Sequence, residues 1–195
     1  MALKDSNEIT VKVLDTQENL IKLLENKGFK KNQTFSLDDY YMIPSDLTIE
    51  NMPTREIISK AVLVRGIKRD SGESIPMLTF KRKNINENGE ILSQEAINCS
   101  VYNVEDARNF MKAINYKDLI NIYEDDVIYC KNNLEIEIKN VKNGNLLIEI
   151  ETNPNTEFNT IEKLKNVITE LQIPIEPNEY FVKKAEVQLN KMLNR

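Results

Sequence analysis

EITVKVLDTQENLIKLLENKG, residues 8–28, joins two periodicities end to end. Residues 8–14 alternate and are rich in β-branched side chains, the mark of a strand with two dissimilar faces. Asp15, with Glu18 three places on, reads as a capping box, and Leu20, Leu23 and Leu24 then recur at helical spacing until Gly28 ends the helix. The layout returns at Glu95. An apolar stretch runs to Val101, Asn103 stands as cap, Ala107, Phe110, Met111 and Ile114 keep helical spacing, and Asn115 takes the place of Gly28. Glu8 and Glu95, Glu18 and Glu105, Leu23 and Phe110, and Gly28 and Asn115 are each 87 positions apart. The chain therefore reads as two strand–helix–strand halves, a weak duplication in residue type more than in identity.

Residues 35–43, 60–69 and 75–83 alternate between turn-rich segments such as Asp70-Ser71-Gly72. Residues 119–130, 133–141 and 145–151 do the same after the second helix, the last two joined by the hairpin signal Asn143-Gly144. Both halves together give about eight strands. Polar residues on both faces of several of them suit a closed antiparallel sheet with a wet interior. The expected class is α+β: an eight-stranded antiparallel β-barrel, or tunnel, with flanking helices, in two pseudo-repeated halves. Beyond Pro154, Phe158, Ile161, Leu164, Val167, Ile168 and Leu171 form a helical stripe, and a last helix from about Pro177 carries Phe181, Ala185 and Leu189. At 195 residues the expectation is a single domain, with the tunnel and its two helices in 1–153 and the C-terminal helices in 154–195 plugging or flanking it.

Composition narrows the chemistry. Hydrophobic residues at 41% and charged ones at 29% fit a soluble globular chain, and a net charge of −5 provides no global field for nucleic acid or an anionic membrane. The absence of histidine removes histidine-activated nucleophiles and nearly all zinc sites. Cys99 and Cys130 lack metal-knuckle spacing and read as buried thiols in a reducing compartment. With no apolar run of membrane-spanning length, the reading is cytoplasmic.

Strand alternation places Glu8, Thr10 and Lys12 on one face, Glu149 with Glu151 on another, and Thr79, Lys81 and Lys83 on a third. A carboxylate pair at i, i+2 can hold a hard cation, which without histidine means Mg2+ or Mn2+. Lysines and Arg65 aimed at the same lumen would then clamp a polyanion such as a triphosphate. Glu135 and Glu137 repeat the pair, but opposite Leu134, Ile136 and Ile138 they read as solvent-facing.

In order along residues 7 to about 151, these features resemble the CYTH proteins, or triphosphate tunnel enzymes, which include class IV adenylate cyclases, thiamine triphosphatases and tripolyphosphatases. The family's opening Glu-x-Glu-x-Lys is similar to Glu8-Ile9-Thr10-Val11-Lys12, its Gly-Phe to Gly28-Phe29, and its Asp-x-Tyr to Asp38-Asp39-Tyr40. Leu63-Val64-Arg65, Leu78-Thr79-Phe80-Lys81, Ser93-Gln94-Glu95 and the closing Glu149-Ile150-Glu151 follow, and 53–61 resembles the cyclase-like members. The resemblance implies an eight-stranded tunnel with Glu8, Glu149 and Glu151 as metal ligands. It further implies Lys12, Arg65 and Lys81 as phosphate contacts, and Lys12 and Glu95 as the residues nearest the chemistry. It leaves a homodimer open.

The departures are specific. Thr10 replaces an acid, Leu63 and Ser93 replace arginines, and a basic pair on the strand after the second helix falls on Glu124-Asp125-Asp126. Arg55, Arg69, Lys83 and Lys139 are available as replacement cations, Arg55 and Lys83 as phosphate contacts. Two functions follow. One is a metal-dependent enzyme hydrolysing a triphosphate such as tripolyphosphate, thiamine triphosphate or ATP, or cyclising ATP to cyclic AMP. The other is an inactive tunnel domain binding a nucleotide, another phosphorylated ligand or a protein. Inward-facing Glu124 and Asp126 would make the tunnel too acidic for an ordinary triphosphate clamp.

Overall fold

The computed structural model describes residues 7–87 and 91–195, with the side chains of 83, 85 and 91–94 outside that description. The elements run β1 (Glu8–Lys12), α1 (Gln17–Asn26), β2 (Lys30–Pro44), α2 (Thr54–Ser59), β3 (Val62–Arg69), β4 (Ser74–Ile85), β5 (Ile91–Ser100), α3 (Val104–Ala113), β6 (Tyr116–Lys131), β7 (Leu134–Val141), β8 (Leu146–Glu151), α4 (Ile161–Leu171) and α5 (Lys184–Met192). The strands form one antiparallel sheet in the order β1-β8-β7-β6-β2-β3-β4-β5. The sheet curls enough for side chains of β1 and β4 to line the same cavity. Among the described residues β1 and β5 do not pair, so the expected barrel is an open tunnel.

The two halves match where their helices begin and end. Asn103 caps α3, its side chain accepting the Asp106 N–H at 2.7 Å. The cap of α1 is Thr16, one residue later than the sequence suggests: its hydroxyl accepts the Asn19 N–H, while Asp15 braces Asn19 from outside. Gly28 and Asn115, the paired stop residues, have φ of +87° and +68°. Both take the left-handed turn that glycine and asparagine tolerate.

Most apolar packing lies outside the tunnel. Ile9, Val11, Ile136, Ile138, Ile148 and Ile150 turn their strand faces outward against Leu20 and Leu24 of α1 and Leu164, Val167 and Ile168 of α4. Ala107 and Met111 of α3 cover Met42 and Val64 in the other half. With the outer faces consumed by helices, the alternate strand residues face the lumen and are free to be polar.

The tail departs from expectation before Lys184: Pro177 and Asn178 form a turn, Asn178 with φ of +62°, and the residues after it run alongside β1 without forming a helix. The Thr10 N–H donates to the Tyr180 carbonyl and the Val182 N–H to the Thr10 carbonyl, both at 2.9 Å, so this segment covers the free edge of β1. α4 flanks the sheet, whereas α5 enters beside the lumen and packs Leu189 against Ile43 and Ile57. Cys99 is exposed and Cys130 half-buried, contrary to the expected pair of buried thiols. No helix among the described residues is long and apolar enough to cross a membrane.

Candidate functional site

The concave face encloses a cavity of about 620 Å³ whose walls come from β1–β4, β7, β8, α2 and the start of α5. Glu8, Glu149 and Glu151 enter it from the paired strands β1 and β8. Register places Glu8 opposite Glu151 and Thr10 opposite Glu149, and one carboxylate oxygen from each of the three acids lies within 4.8 Å of the others. Such an all-oxygen cluster suits a hard divalent cation. The Thr10 hydroxyl donates to Glu149 at 3.3 Å, so the threonine that replaces an acid holds one of the remaining acids in place.

Arg65 reaches the cavity from β3 and is tied back to Asp39 on β2 by two hydrogen bonds of 2.6 and 2.7 Å. Lys184, the first residue of α5, bonds Asp39 at 3.3 Å and also pairs with Glu124. On the opposite wall Lys139 sits 2.9 Å from Glu149 and 3.5 Å from Glu137. Burial alone would raise Asp39, yet Lys184 and Arg65 outweigh it and hold the carboxyl below its ordinary range. The same logic reversed keeps Lys139 charged: burial works against the ammonium, and Glu149 and Glu137 overcome it.

Glu124 and Asp126 are 0% and 1% exposed and belong to the inner side of β6, while Asp125 between them is exposed; this is the inward arrangement set above against an ordinary triphosphate clamp, but neither acid lines the cavity and Lys184 answers Glu124. One oxygen of Glu124 and both of Asp126 receive no hydrogen bond. Burial, then the charge of Glu124, pushes Asp126 up to about 9, so it keeps its proton at neutral pH. Burial raises Glu137 as well, against the charge of Lys139.

The cavity thus gathers Glu8, Glu149, Glu151, Arg65, Lys81 and Arg55, the last half-exposed and paired with Glu186 of α5 at 2.9 Å. Two expected residues fall outside its lining. Lys12 shares the face of Glu8 but is drawn away to Glu176 in the tail, 3.3 Å distant. Glu95 pairs in register with Arg82, on the face opposite Lys81, and so sits on the outside of the tunnel. Arg69 is taken by Glu73 at the β3–β4 turn. The Lys83 side chain lies outside the described residues. Glu137, read from sequence as solvent-facing, lines the cavity, because the α4 side of β7 is already filled by Leu134, Ile136 and Ile138. Sequence reasoning missed Asp39 and Lys184. Asp39 meets Arg65 through the β2–β3 register, set across a connection that contains α2, and Lys184 carries no local signal.

No family model and no curated protein matches the chain. Solved structures do. A Pyrococcus horikoshii protein superposes with a TM-score of 0.71 at 17% identity, over 95% of this chain and 99% of that one. A Pyrococcus furiosus protein gives 0.67 at 18%, over 93% and 99%. A candidate adenylate cyclase from Vibrio parahaemolyticus gives 0.61 at 9%, over 93% and 95%. The chain shares their fold. Since the superpositions span nearly the whole of both chains, the likeness includes the helices as well as the sheet, and at these identities it is a likeness of fold alone.

Proposed function

We propose that the tunnel binds a phosphate-rich small molecule as its complex with a divalent cation, Mg2+ or Mn2+. The observation that carries this reading is the convergence of Glu8, Glu149 and Glu151 in the same cavity as Arg65, Lys81 and Arg55. The three carboxylates would hold the ion, whose charge would neutralise phosphate oxygens. Lys81 and Arg55 supply point and fork-shaped donors for the remaining oxygens, and Arg65, fixed by Asp39, is preorganised for the same task. In the finer form of the proposal the ligand is a triphosphate that is hydrolysed or cyclised, as the resemblance to triphosphate tunnel enzymes implies. The fold shared with the candidate Vibrio cyclase is in keeping with it.

A second reading, binding without turnover, is favoured by one observation: four of the cavity's cations are already answered by acids. Arg65 has Asp39, Lys184 has Asp39 and Glu124, Lys139 has Glu149 and Glu137, and Arg55 has Glu186. A transition state gains little from charges that are already neutralised.

Thermal unfolding with tripolyphosphate or ATP, each with Mg2+ or Mn2+, tests the binding reading. A metal-dependent rise that vanishes in Glu149→Ala and Lys81→Ala supports it, and no rise with any triphosphate removes it. Phosphate-release and cyclic AMP assays on the same samples then separate turnover from binding alone.

A further inference from the structure

The two edges of the sheet are finished differently. The tail covers β1 by taking up the Thr10 N–H and carbonyl, whereas β5 has β4 alone as a strand partner among the described residues. The Val101 N–H donates to the Pro76 carbonyl, so the odd-numbered residues of β5 turn their backbone groups to β4. Ala96, Asn98 and Ser100 therefore present their N–H and carbonyl groups at the free edge. Asn98, Cys99 and Ser100 are exposed, and from Ala96 to Ser100 the register with β4 is unbroken. Edges of this kind pair with another chain unless lysine, proline, a bulge or a cover blunts them, and Ala96–Tyr102 holds no charge and no proline.

Uncovered apolar side chains gather in the same stretch of chain. Among the described residues six large hydrophobic side chains are exposed, and four of them, Ile97, Tyr102, Phe110 and Ile114, belong to β5, α3 and the residues that flank this helix. Ile97 and Cys99 point to the outer face, because Ile97 pairs with Phe80 and not with the lumen-facing Thr79 or Lys81. Tyr102, 91% exposed, offers an aromatic side chain able to bury about 150–250 Å². That is a large share of the roughly 800 Å² per partner that a stable interface buries.

We infer that β5 pairs antiparallel with β5 of a second copy of this chain, about a two-fold axis beside Cys99, so that one sheet runs through both copies. A strand laid antiparallel on itself sets each outward N–H against a carbonyl, and an uncharged run does not repel its own copy. The register centred on Cys99 superposes Ala96–Tyr102 on itself. It sets Asn98 against the partner's Ser100, Ile97 against the partner's Val101, and Cys99 against the partner's Cys99. The cysteines then form a pair without mutual backbone hydrogen bonds, whose Cα atoms lie about 4.5 Å apart, within the span of about 4.4–6.8 Å that a disulfide bridges. None of the cavity's lining residues belongs to β5, so this interface stands apart from the phosphate reading.

The test is sedimentation velocity of the full chain under reducing conditions, for wild type, Ser100→Pro and Ile97→Lys. Wild type should pass from monomer to dimer as its concentration rises through the micromolar range. Ser100→Pro removes an N–H at the free edge and Ile97→Lys brings two charges to it, each twice per dimer, so each should weaken dimerisation by about tenfold or more. Ile97→Lys, at an exposed position, should keep the wild-type melting temperature in dilute solution, which separates lost pairing from lost folding. Diamide, which takes up the two electrons and two protons of a pair of thiols, should then join wild-type chains into a disulfide-linked dimer. Cys99→Ser should abolish that product and Cys130→Ser should leave it. A monomer at every concentration, a dimer that both edge variants leave intact, or a dimer that diamide does not link through Cys99 would overturn the inference.

Discussion

Lys184, at the start of the last helix, pairs with Glu124 on β6, sixty residues earlier in the chain. The same ammonium reaches Asp39 on β2, so the N-terminal end of α5, already favourable to negative charge, is set against two fully buried acids. This gives the acidic stretch Glu124-Asp125-Asp126 a physical role. Where the resemblance calls for basic residues on the strand, the cation comes from the tail.

Lys184→Met should therefore strand Asp39 and Glu124 without their shared counter-charge. Breaking a buried pair by removing one partner costs about 3–5 kcal/mol. Chemical denaturation should show a loss of that order, and adding Glu124→Gln should recover part of it. Strictly additive losses in the double variant would mean that the two side chains are not coupled.

Asp126 sets a pH dependence of opposite sign to that of a salt-bridged acid. Its pKa, pushed up to about 9, exceeds the unfolded value of about 3.9. Between these values the folded chain holds a proton that the unfolded chain has released. Stability must then fall as pH rises, by about 1.4 kcal/mol per unit at most. Asp126→Asn cannot ionise and should flatten the profile between about pH 6 and pH 9, gaining most at the alkaline end. Equal slopes in the two proteins would show that Asp126 ionises normally.

Lys139 occupies one of the carboxylates that a metal would use, since it lies 2.9 Å from Glu149. In Lys139→Met the acids Glu137 and Glu149 lose that cation, and the metal-free protein should melt lower. Mn2+ should then raise the melting temperature by more than it does in wild type, because the ion no longer competes with an ammonium. A smaller Mn2+ effect in the variant would place the ion away from Glu149.

Glu95 and Lys81 are close in sequence terms but lie on opposite faces of the β4–β5 pair. Glu95→Ala should leave ATP and tripolyphosphate affinities unchanged. Lys81→Ala should weaken both by about tenfold, the worth of one charge-assisted contact. Titration of the two variants side by side decides this, and a loss in Glu95→Ala would put that acid in the lumen.

Much of the site was legible because strands alternate. Glu149 and Glu151 could be grouped from their i, i+2 spacing, whereas Glu8 joined them only through the family resemblance until the β1–β8 pairing set it beside them, and stop residues marked both helix repeats. The same rule misjudged Glu137, because alternation states which residues share a face and not what covers it. Lys12 was lost to Glu176 and Glu95 to Arg82, in each case through a partner that spacing along one strand does not reveal.

The sequence by itself determined the strands and the two repeated helices, since these follow from hydrogen-bonding groups and side chains within a few residues of one another, but not α2 or the start of α5 at Lys184. It also excluded every chemistry that needs histidine. Tertiary structure alone decided the electrostatics of the lumen. Asp39, Arg65, Glu124 and Lys184 acquire their partners only when β2, β3, β6 and the tail are packed together, and for Asp39 and Lys184 those partners outweigh the burial that opposes the charged forms.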